Sequence, residues 1–376
     1  MRQIQMVDTQ TQYQKIKKDV DQAIKEVIDS SAFINGKIVQ EFALNLAKYL
    51  DTKYLVPCAN GTDALQIAMM GLDLKPGDEV ITPSFTYIAT TEVIALLKLT
   101  PVFVEVDPQT FCIDPAAIRK AVTSKTKAIV PVHLYGQSAA MEEIMDIARE
   151  FNLYVIEDNA QAIGCNYIFR NGVKKKTGTI GTIGTTSFYP SKNLGAYGDG
   201  GALYTNDDEL AVKLKMIANH GQSKRYYHDV VGCNSRLDSI QAAILNEKLR
   251  HLDEYIEARK EAARSYDNAF AGCTKIKTPS RASYSDHVFH QYTIILEGVN
   301  RDELHKFLAE QKVPSMIYYP VPAHKQKMFA QYNSSTLDMP VTDWLTQRVI
   351  SLPIHTELDE EQLSYISSKV LEFVNR

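Results

Sequence analysis

From about residue 55 onward, short apolar runs alternate with longer stretches in which apolar positions recur every three or four residues. The runs Glu79–Thr82, Pro101–Val106, Ala128–Val132 and Leu153–Ile156 are rich in β-branched side chains and nearly continuous in apolar character. Strands buried on both faces have that signature. Between them the spacing predicts helices over 63–72, 86–98, 114–123 and 139–151, and Pro76-Gly77-Asp78 supplies a turn. Such alternation predicts an α/β fold, a mostly parallel sheet with helices on both faces and right-handed crossovers. Near residue 237 the pattern changes. Leu237, Ile240, Ile244, Leu245, Leu249, Leu252 and Ile256 recur at helical spacing and predict one long helix. Further on, a weaker strand over Gln291–Leu296 and helices over 301–311 and 359–374 predict a smaller α+β unit. A chain of 376 residues exceeds the size at which one core usually stops growing. The expected division is a large unit over 1–250, including an N-terminal helical segment, and a small C-terminal one over 251–376.

Composition narrows the class mainly by exclusion. A net charge of −4 gives no reason to expect a nucleic-acid partner. Cys58, Cys112, Cys165, Cys233 and Cys273 are odd in number and have no C-x-x-C spacing, so they read as reduced thiols. No stretch approaches the roughly 18 apolar residues of a membrane helix, and the first twenty residues lack the apolar run of a signal peptide. A soluble, cytoplasmic protein is expected. Asn333-Ser334-Ser335 matches a glycosylation acceptor, a chance match in that compartment. His287 and His290 lie three apart, but no cysteine or carboxylate set completes a metal site, and none is expected. Lys174-Lys175-Lys176 reads as a solvated hairpin tip. His133 and Tyr135 either line a pocket or simply pack.

Four local features carry chemistry. Asp158, in Glu157-Asp158-Asn159-Ala160-Gln161, follows a predicted parallel strand, where open α/β sheets bind ligands. Lys192 lies in Thr186-Ser187-Phe188-Tyr189-Pro190-Ser191-Lys192-Asn193-Leu194-Gly195, just before the glycine-dense Gly198–Gly201. Lysine forms a Schiff base with an aldehyde once its amine loses a proton, and glycines let a ring approach closely. Ala59-Asn60-Gly61-Thr62-Asp63 opens a helix, whose first N–H groups form an anion site. Tyr87, in Pro83–Tyr87, brings an aromatic ring to a strand end. Singly, each has an ordinary structural explanation. Together they meet the needs of pyridoxal phosphate (PLP): an amine, a carboxylate for the ring nitrogen, a phosphate site and a flat surface.

The chain resembles the PLP-dependent nucleotide-sugar aminotransferases of the DegT/DnrJ type, which share the fold type I (aspartate aminotransferase-like) architecture. The likeness spans essentially the whole chain and rests on Asn60–Leu65, Glu157–Gln161, Ser187–Gly195, Gly232–Asp238 and Tyr319-Pro320. It implies that Lys192 carries the cofactor, Asp158 pairs with the pyridinium nitrogen and Gln161 bonds the ring-hydroxyl side. Tyr87 takes the ring-stacking position, and Gly61, Thr62 and Ser187 hold the phosphate. Asn234 would reach the phosphate of a neighbouring subunit, which implies a homodimer with shared active sites. L-Glutamate is the implied donor, leaving as 2-oxoglutarate, and a keto sugar on a nucleotide is the acceptor.

Across Asn219–Gly221 and Gly232–Leu245 the chain is most similar to enzymes that aminate C3 of UDP-2-acetamido-2-deoxy-3-oxo-glucuronate, for surface polysaccharides such as O-antigen. Arg236 would then bind the sugar carboxylate in a bidentate manner, or else tie a dimer together. Such sequences have His-Tyr-Pro where this chain has Tyr318-Tyr319-Pro320, which alters one substrate contact. His324 instead resembles members acting on dTDP-linked 3-keto-6-deoxyhexoses. Lys192 argues against the related dehydratases, in which the lysine is replaced by histidine. A PLP- or sugar-binding regulatory protein is the non-enzymatic alternative.

Overall fold

The computed structural model describes residues 2–376. Its centre is a seven-stranded sheet in the order 54–58, 201–205, 183–187, 154–158, 126–129, 79–83, 100–104. Only Gly201–Thr205 runs against the others; it pairs antiparallel with both of its neighbours. The remaining pairs are parallel. The expected mostly parallel sheet is therefore observed.

Side chains along these strands alternate between two cores. Val80, Ala128, Val130 and Ile156 pack with the helices Gly61–Gly71, Ala89–Leu96 and Asp208–Ala218 on one side. Ile81, Ile129 and Val155 pack with the helices Pro115–Ala121 and Met141–Phe151 on the other. With both faces covered, alternate residues can all be apolar, so the strands read as unbroken apolar runs.

The helix expected to run through 237–256 is two helices, Ser239–Leu249 and Leu252–Phe270. Backbone N–H groups of Arg250 and His251 donate to Glu247 and Lys248, three residues back, at 3.2 and 3.1 Å. That tightening ends the first helix without a glycine or proline. The longer second helix packs into a separate core with Tyr292, Ile294, Leu296, Leu304, Leu308 and Ile366. A three-stranded antiparallel sheet, 276–277, 292–296 and 349–352, lies at its centre. The lysine triplet forms the second strand of a small hairpin with Asn166–Ile168. Its last member, Lys176, turns inward and donates to the Gly164 carbonyl at 2.8 Å. His287 and His290 are buried, and no group of residues suited to a metal ion occurs among the described residues. No helix among them is long and apolar enough to cross a membrane.

Candidate active site

Because 54–58, 79–83, 154–158 and 183–187 run the same way, their C-terminal ends open on one edge of the sheet. Register brings Cys58, Gly201 and Ser187 side by side, with Asp158 opposite Thr185. Close backbone approach marks this corner. A Cβ on Gly61 would lie 2.7 Å from the Ser187 Cβ, and one on Gly201 would lie 2.4 Å from the Asn60 carbonyl carbon. Only glycines admit that contact. Asn60 caps the helix that follows, accepting from the Asp63 N–H at 2.8 Å. The first N–H groups of that helix, at Gly61 and Thr62, have no carbonyl one turn back to receive them. They and Ser187 form a half-open corner suited to an anion.

Asp158 is only 5 % exposed and is held by four hydrogen bonds. Its backbone joins the neighbouring segment, with Asp158 N–H donating to Pro131 O at 2.9 Å and His133 N–H to Asp158 O at 3.0 Å. Its carboxylate accepts from Thr90 Oγ1 at 2.7 Å and from the Ala160 N–H at 3.1 Å. Glu157, one residue earlier, faces the other side of the strand and serves the packing. It accepts from the N–H groups of Gly178, Ile180 and Gly181 at 2.7, 2.7 and 2.6 Å. The fourth bond, at 2.8 Å, comes from His133 Nε2. His133 Nδ1 accepts the Ala139 N–H at 3.1 Å, so its proton sits on Nε2 and points at Glu157. His133 is thus a packing residue.

Lys192 stands on a compact turn closed by Lys192 N–H to Tyr189 O and Ala196 N–H to Phe188 O, both 2.8 Å. Asn193 Nδ2 ties the turn to Val288 O at 3.0 Å. Desolvation lowers the Lys192 amine from 10.5 to about 8, against the opposing pull of Asp158. A charged amine loses hydration there that one carboxylate does not replace.

Gln161 is buried and oriented by two bonds. Its Oε1 accepts the Tyr135 N–H at 2.8 Å, and its Nε2 donates to Tyr319 Oη at 3.0 Å. One amide hydrogen remains for a ligand. Tyr135 takes a left-handed backbone, φ 58°, strain of the kind that collects at sites, and its hydroxyl donates to the Tyr318 carbonyl. Tyr87 is 56 % exposed, with its ring centroid 6.1 Å from that of Tyr319. A flat face is therefore available.

The other expected residues are placed as follows. Asn234 is exposed; its neighbour Ser235 accepts the Ala59 N–H at 3.0 Å, beside the helix start. Arg236 is half-buried and donates to Asn219 Oδ1 at 3.2 Å. His324 does not offer a surface to a substrate. It is fully buried, with Nδ1 2.6 Å from Ser84 Oγ, while the backbone N–H groups of Ala323 and His324 donate to Ser84 O and Oγ at 2.9 and 3.2 Å. These bonds fasten the segment after Tyr319 to the strand end before Tyr87. Thr90 and Ser84 went unrecognised in the sequence. For Thr90 the available signal was its spacing from Thr86, four residues earlier on a helix start; the two hydroxyls lie 3.1 Å apart.

The set fits pyridoxal phosphate: an amine lowered to about 8, a fixed carboxylate, an anion-ready corner and an open aromatic face. A sheet of this topology with that donor set suits a PLP-dependent enzyme. The chain belongs to the DegT/DnrJ/EryC1/StrS aminotransferase family, whose profile matches residues 14–371. It is 47 % identical to a "pleiotropic regulatory protein" of Geobacillus stearothermophilus, over 98 % of each chain. To the UDP-2-acetamido-2-deoxy-3-oxo-D-glucuronate aminotransferase of Pseudomonas aeruginosa it is 43 % identical, over 96 % of this chain and 98 % of that one. Its structure superposes on DesV of S. venezuelae, solved in complex with a ketimine intermediate, with a TM-score of 0.95, 37 % identity and full coverage of both chains.

Proposed function

We propose that the chain transfers the amino group of L-glutamate to C3 of UDP-2-acetamido-2-deoxy-3-oxo-glucuronate, in the cytoplasm, for surface polysaccharide synthesis. The observation that carries the transamination is Lys192: a half-buried side chain whose amine is lowered to about 8 by desolvation, against the opposing pull of Asp158. Lys192 would hold the cofactor, with Gly61, Thr62 and Ser187 on its phosphate. Asp158 would face its ring nitrogen, the free amide hydrogen of Gln161 its hydroxyl side and Tyr87 its ring. Bound there, the cofactor supplies an electron sink for charge at the donor's α-carbon. The chain's own groups do the rest. Lys192, substantially neutral near pH 8, takes the α-proton and returns it. Asp158, fixed by Thr90 and Ala160, keeps a negative charge opposite the ring nitrogen, which favours the protonated ring.

The uronate reading is supported by Arg236. Its guanidinium has one hydrogen bond, to Asn219, and leaves donors for a carboxylate. The division into 1–250 and 251–376, and a homodimer in which Asn234 and the exposed Tyr226, Tyr227 and Val231 meet the partner, belong to the same reading.

Purified protein is tested first with glutamate alone. A shift of the cofactor's visible band together with 2-oxoglutarate release supports transamination. Cofactor binding with no such half-reaction would favour a regulatory role, the reading raised by the Geobacillus relative. A panel of 3-keto sugars then follows. Turnover of the UDP uronate but not of its 6-hydroxymethyl counterpart or dTDP-linked 6-deoxy sugars, lost in Arg236→Met, supports the substrate. Equal turnover of all three overturns it.

A further inference from the structure

Lys248 is 1 % exposed, and the transamination leaves it without a task. It sits near the end of the helix Ser239–Leu249 and is 53 residues from the segment it touches. Its Nζ donates to the Gly195 carbonyl at 2.6 Å and lies 5.2 Å from the centre of the Tyr197 ring. No carboxylate comes within ion-pair distance among the described residues. Burial and the neighbouring Arg259 push its amine down to about 8. A buried ammonium without a counter-ion is among the costlier groups to place in a protein interior, and here it goes to one backbone carbonyl.

That carbonyl lies three residues beyond Lys192, on the same tight turn. Gly195 leaves no room for adjustment, since a Cβ there would be 2.4 Å from the Pro190 carbonyl oxygen. The same helix grips the turn's exit a second time. Gln241 Oε1 accepts the Tyr197 N–H at 2.9 Å, and its amide nitrogen lies 3.0 Å from where a Gly198 Cβ would sit. Positions 241 and 248 are seven apart, two turns on one face of the helix. One side chain therefore supplies an acceptor and the other a donor to backbone groups two residues apart. On the far side, Asn193 Nδ2 anchors the turn to Val288 O.

We infer that Lys248, with Gln241, is a positioning residue: its ammonium fixes the Gly195 carbonyl and so sets where the turn presents the Lys192 amine relative to Asp158. The inference rests on Lys192 as the cofactor-bearing amine. A group that merely filled space would affect stability alone. A group that sets the turn also changes the proton affinity of Lys192 and the rate of chemistry, while leaving substrate binding in place.

The test uses the holoenzyme and Lys248→Met, which keeps the length and removes the donor. Expected are full cofactor loading at saturating PLP, a kcat at least tenfold lower with KM within about threefold, and a midpoint of the visible-band pH titration moved by at least half a pH unit. Lys248→Arg, which restores a donor, should recover kcat to within about threefold of wild type. A folded Lys248→Met with wild-type kcat and titration midpoint overturns the inference. Should Lys248→Met fail to fold, Gln241→Met removes the second hold without disturbing the buried charge. It should show the same changes at smaller size, and a Gln241→Met enzyme unchanged in kcat and midpoint overturns the inference as well. Lys192→Ala is assayed beside them. If it remains active, the cofactor assignment itself is wrong. If it is dead while the other variants behave as wild type, only the positioning role fails.

Discussion

Glu157 and Asp158 are adjacent carboxylates on one strand, and their surroundings differ in kind. Glu157 accepts four hydrogen bonds, three from backbone N–H groups and one from His133. It has no exposed surface and no neighbour free to react. Asp158 accepts only two and shares its space with an amine that burial has made a weak base. The first region meets every demand of its charge internally, as buried ions must if they serve structure. The second leaves acceptor capacity within electrostatic reach of an incompletely solvated amine, an arrangement that a cofactor's ring nitrogen and aldehyde would complete. Incomplete satisfaction, not charge as such, separates the carboxylate proposed to function from the structural one.

The largest effect expected falls on the open region. Lys192→Ala should lower transamination by about a thousandfold or more, since on the proposed reading it removes both the cofactor's anchor and the proton-transfer group, while the fold and far-ultraviolet spectrum stay intact. Single-turnover kinetics with glutamate measure it. Substantial turnover by this variant would remove the distinction between the two regions.

Next come the matched isosteric changes. Asp158→Asn should cut kcat by about a hundredfold or more with little change in urea stability, because only two bonds are disturbed while the charge is lost. Glu157→Gln should do the reverse. It replaces one acceptor oxygen by an amide donor facing N–H groups and costs about 3 kcal/mol of stability, with kcat per folded molecule within about threefold. If both variants lose activity and stability in equal measure, the two carboxylates form one network.

Asp158 and Lys192 stand out in the local sequence because each lies in a short run with its own chemistry, and the strand runs could be found because both faces of the sheet are covered. Partners distant along the chain were another matter. Thr90 reaches Asp158 across 68 residues and Lys248 reaches Gly195 across 53; the local sequence of neither names its partner, and Thr90 shows only its four-residue spacing from Thr86. His324 stands out in the sequence only through its likeness to members acting on dTDP-linked 3-keto-6-deoxyhexoses. Its partner Ser84 lies 240 residues earlier, and only the folded chain shows that the pair is a clasp. The helix break at Arg250–His251 is hidden for the opposite reason: apolar spacing continues through it with no glycine or proline.

The amine of Lys192 also sets a pH dependence. In the unfolded chain it titrates near 10.5, in the cofactor-free native protein near 8. Between those values the unfolded state holds the proton and the native state does not, so stability rises with pH across that window. The contribution is complete above 10.5 and is lost as pH falls through 8. At 1.36 kcal/mol per pKa unit its full size is about 3 kcal/mol. Urea melts of apo wild type and Lys192→Met from pH 7 to 10 isolate it, with wild type gaining on the variant as pH rises. Parallel curves would mean that the amine is well solvated and the open region ordinary.

The smallest effect is the most discriminating. Thr90 supplies one of only two bonds to the Asp158 carboxylate, so losing it should free one oxygen to turn, whereas Glu157 could lose one of four bonds and keep its place. Thr90→Val keeps shape and removes the hydroxyl. It should lower kcat about tenfold, the worth of one hydrogen bond to a charged group at roughly 1.5 kcal/mol, with KM for glutamate nearly unchanged. Thr90→Ser restores the hydroxyl and should recover most of that loss, which separates the bond from the packing of the methyl group. On the other side of the strand, His133→Leu removes one of the four bonds to Glu157 and should leave kcat per folded molecule unchanged. If it slows turnover as much as Thr90→Val does, strain passes through the strand between the two carboxylates, and the site extends to the side chains beneath the sheet edge.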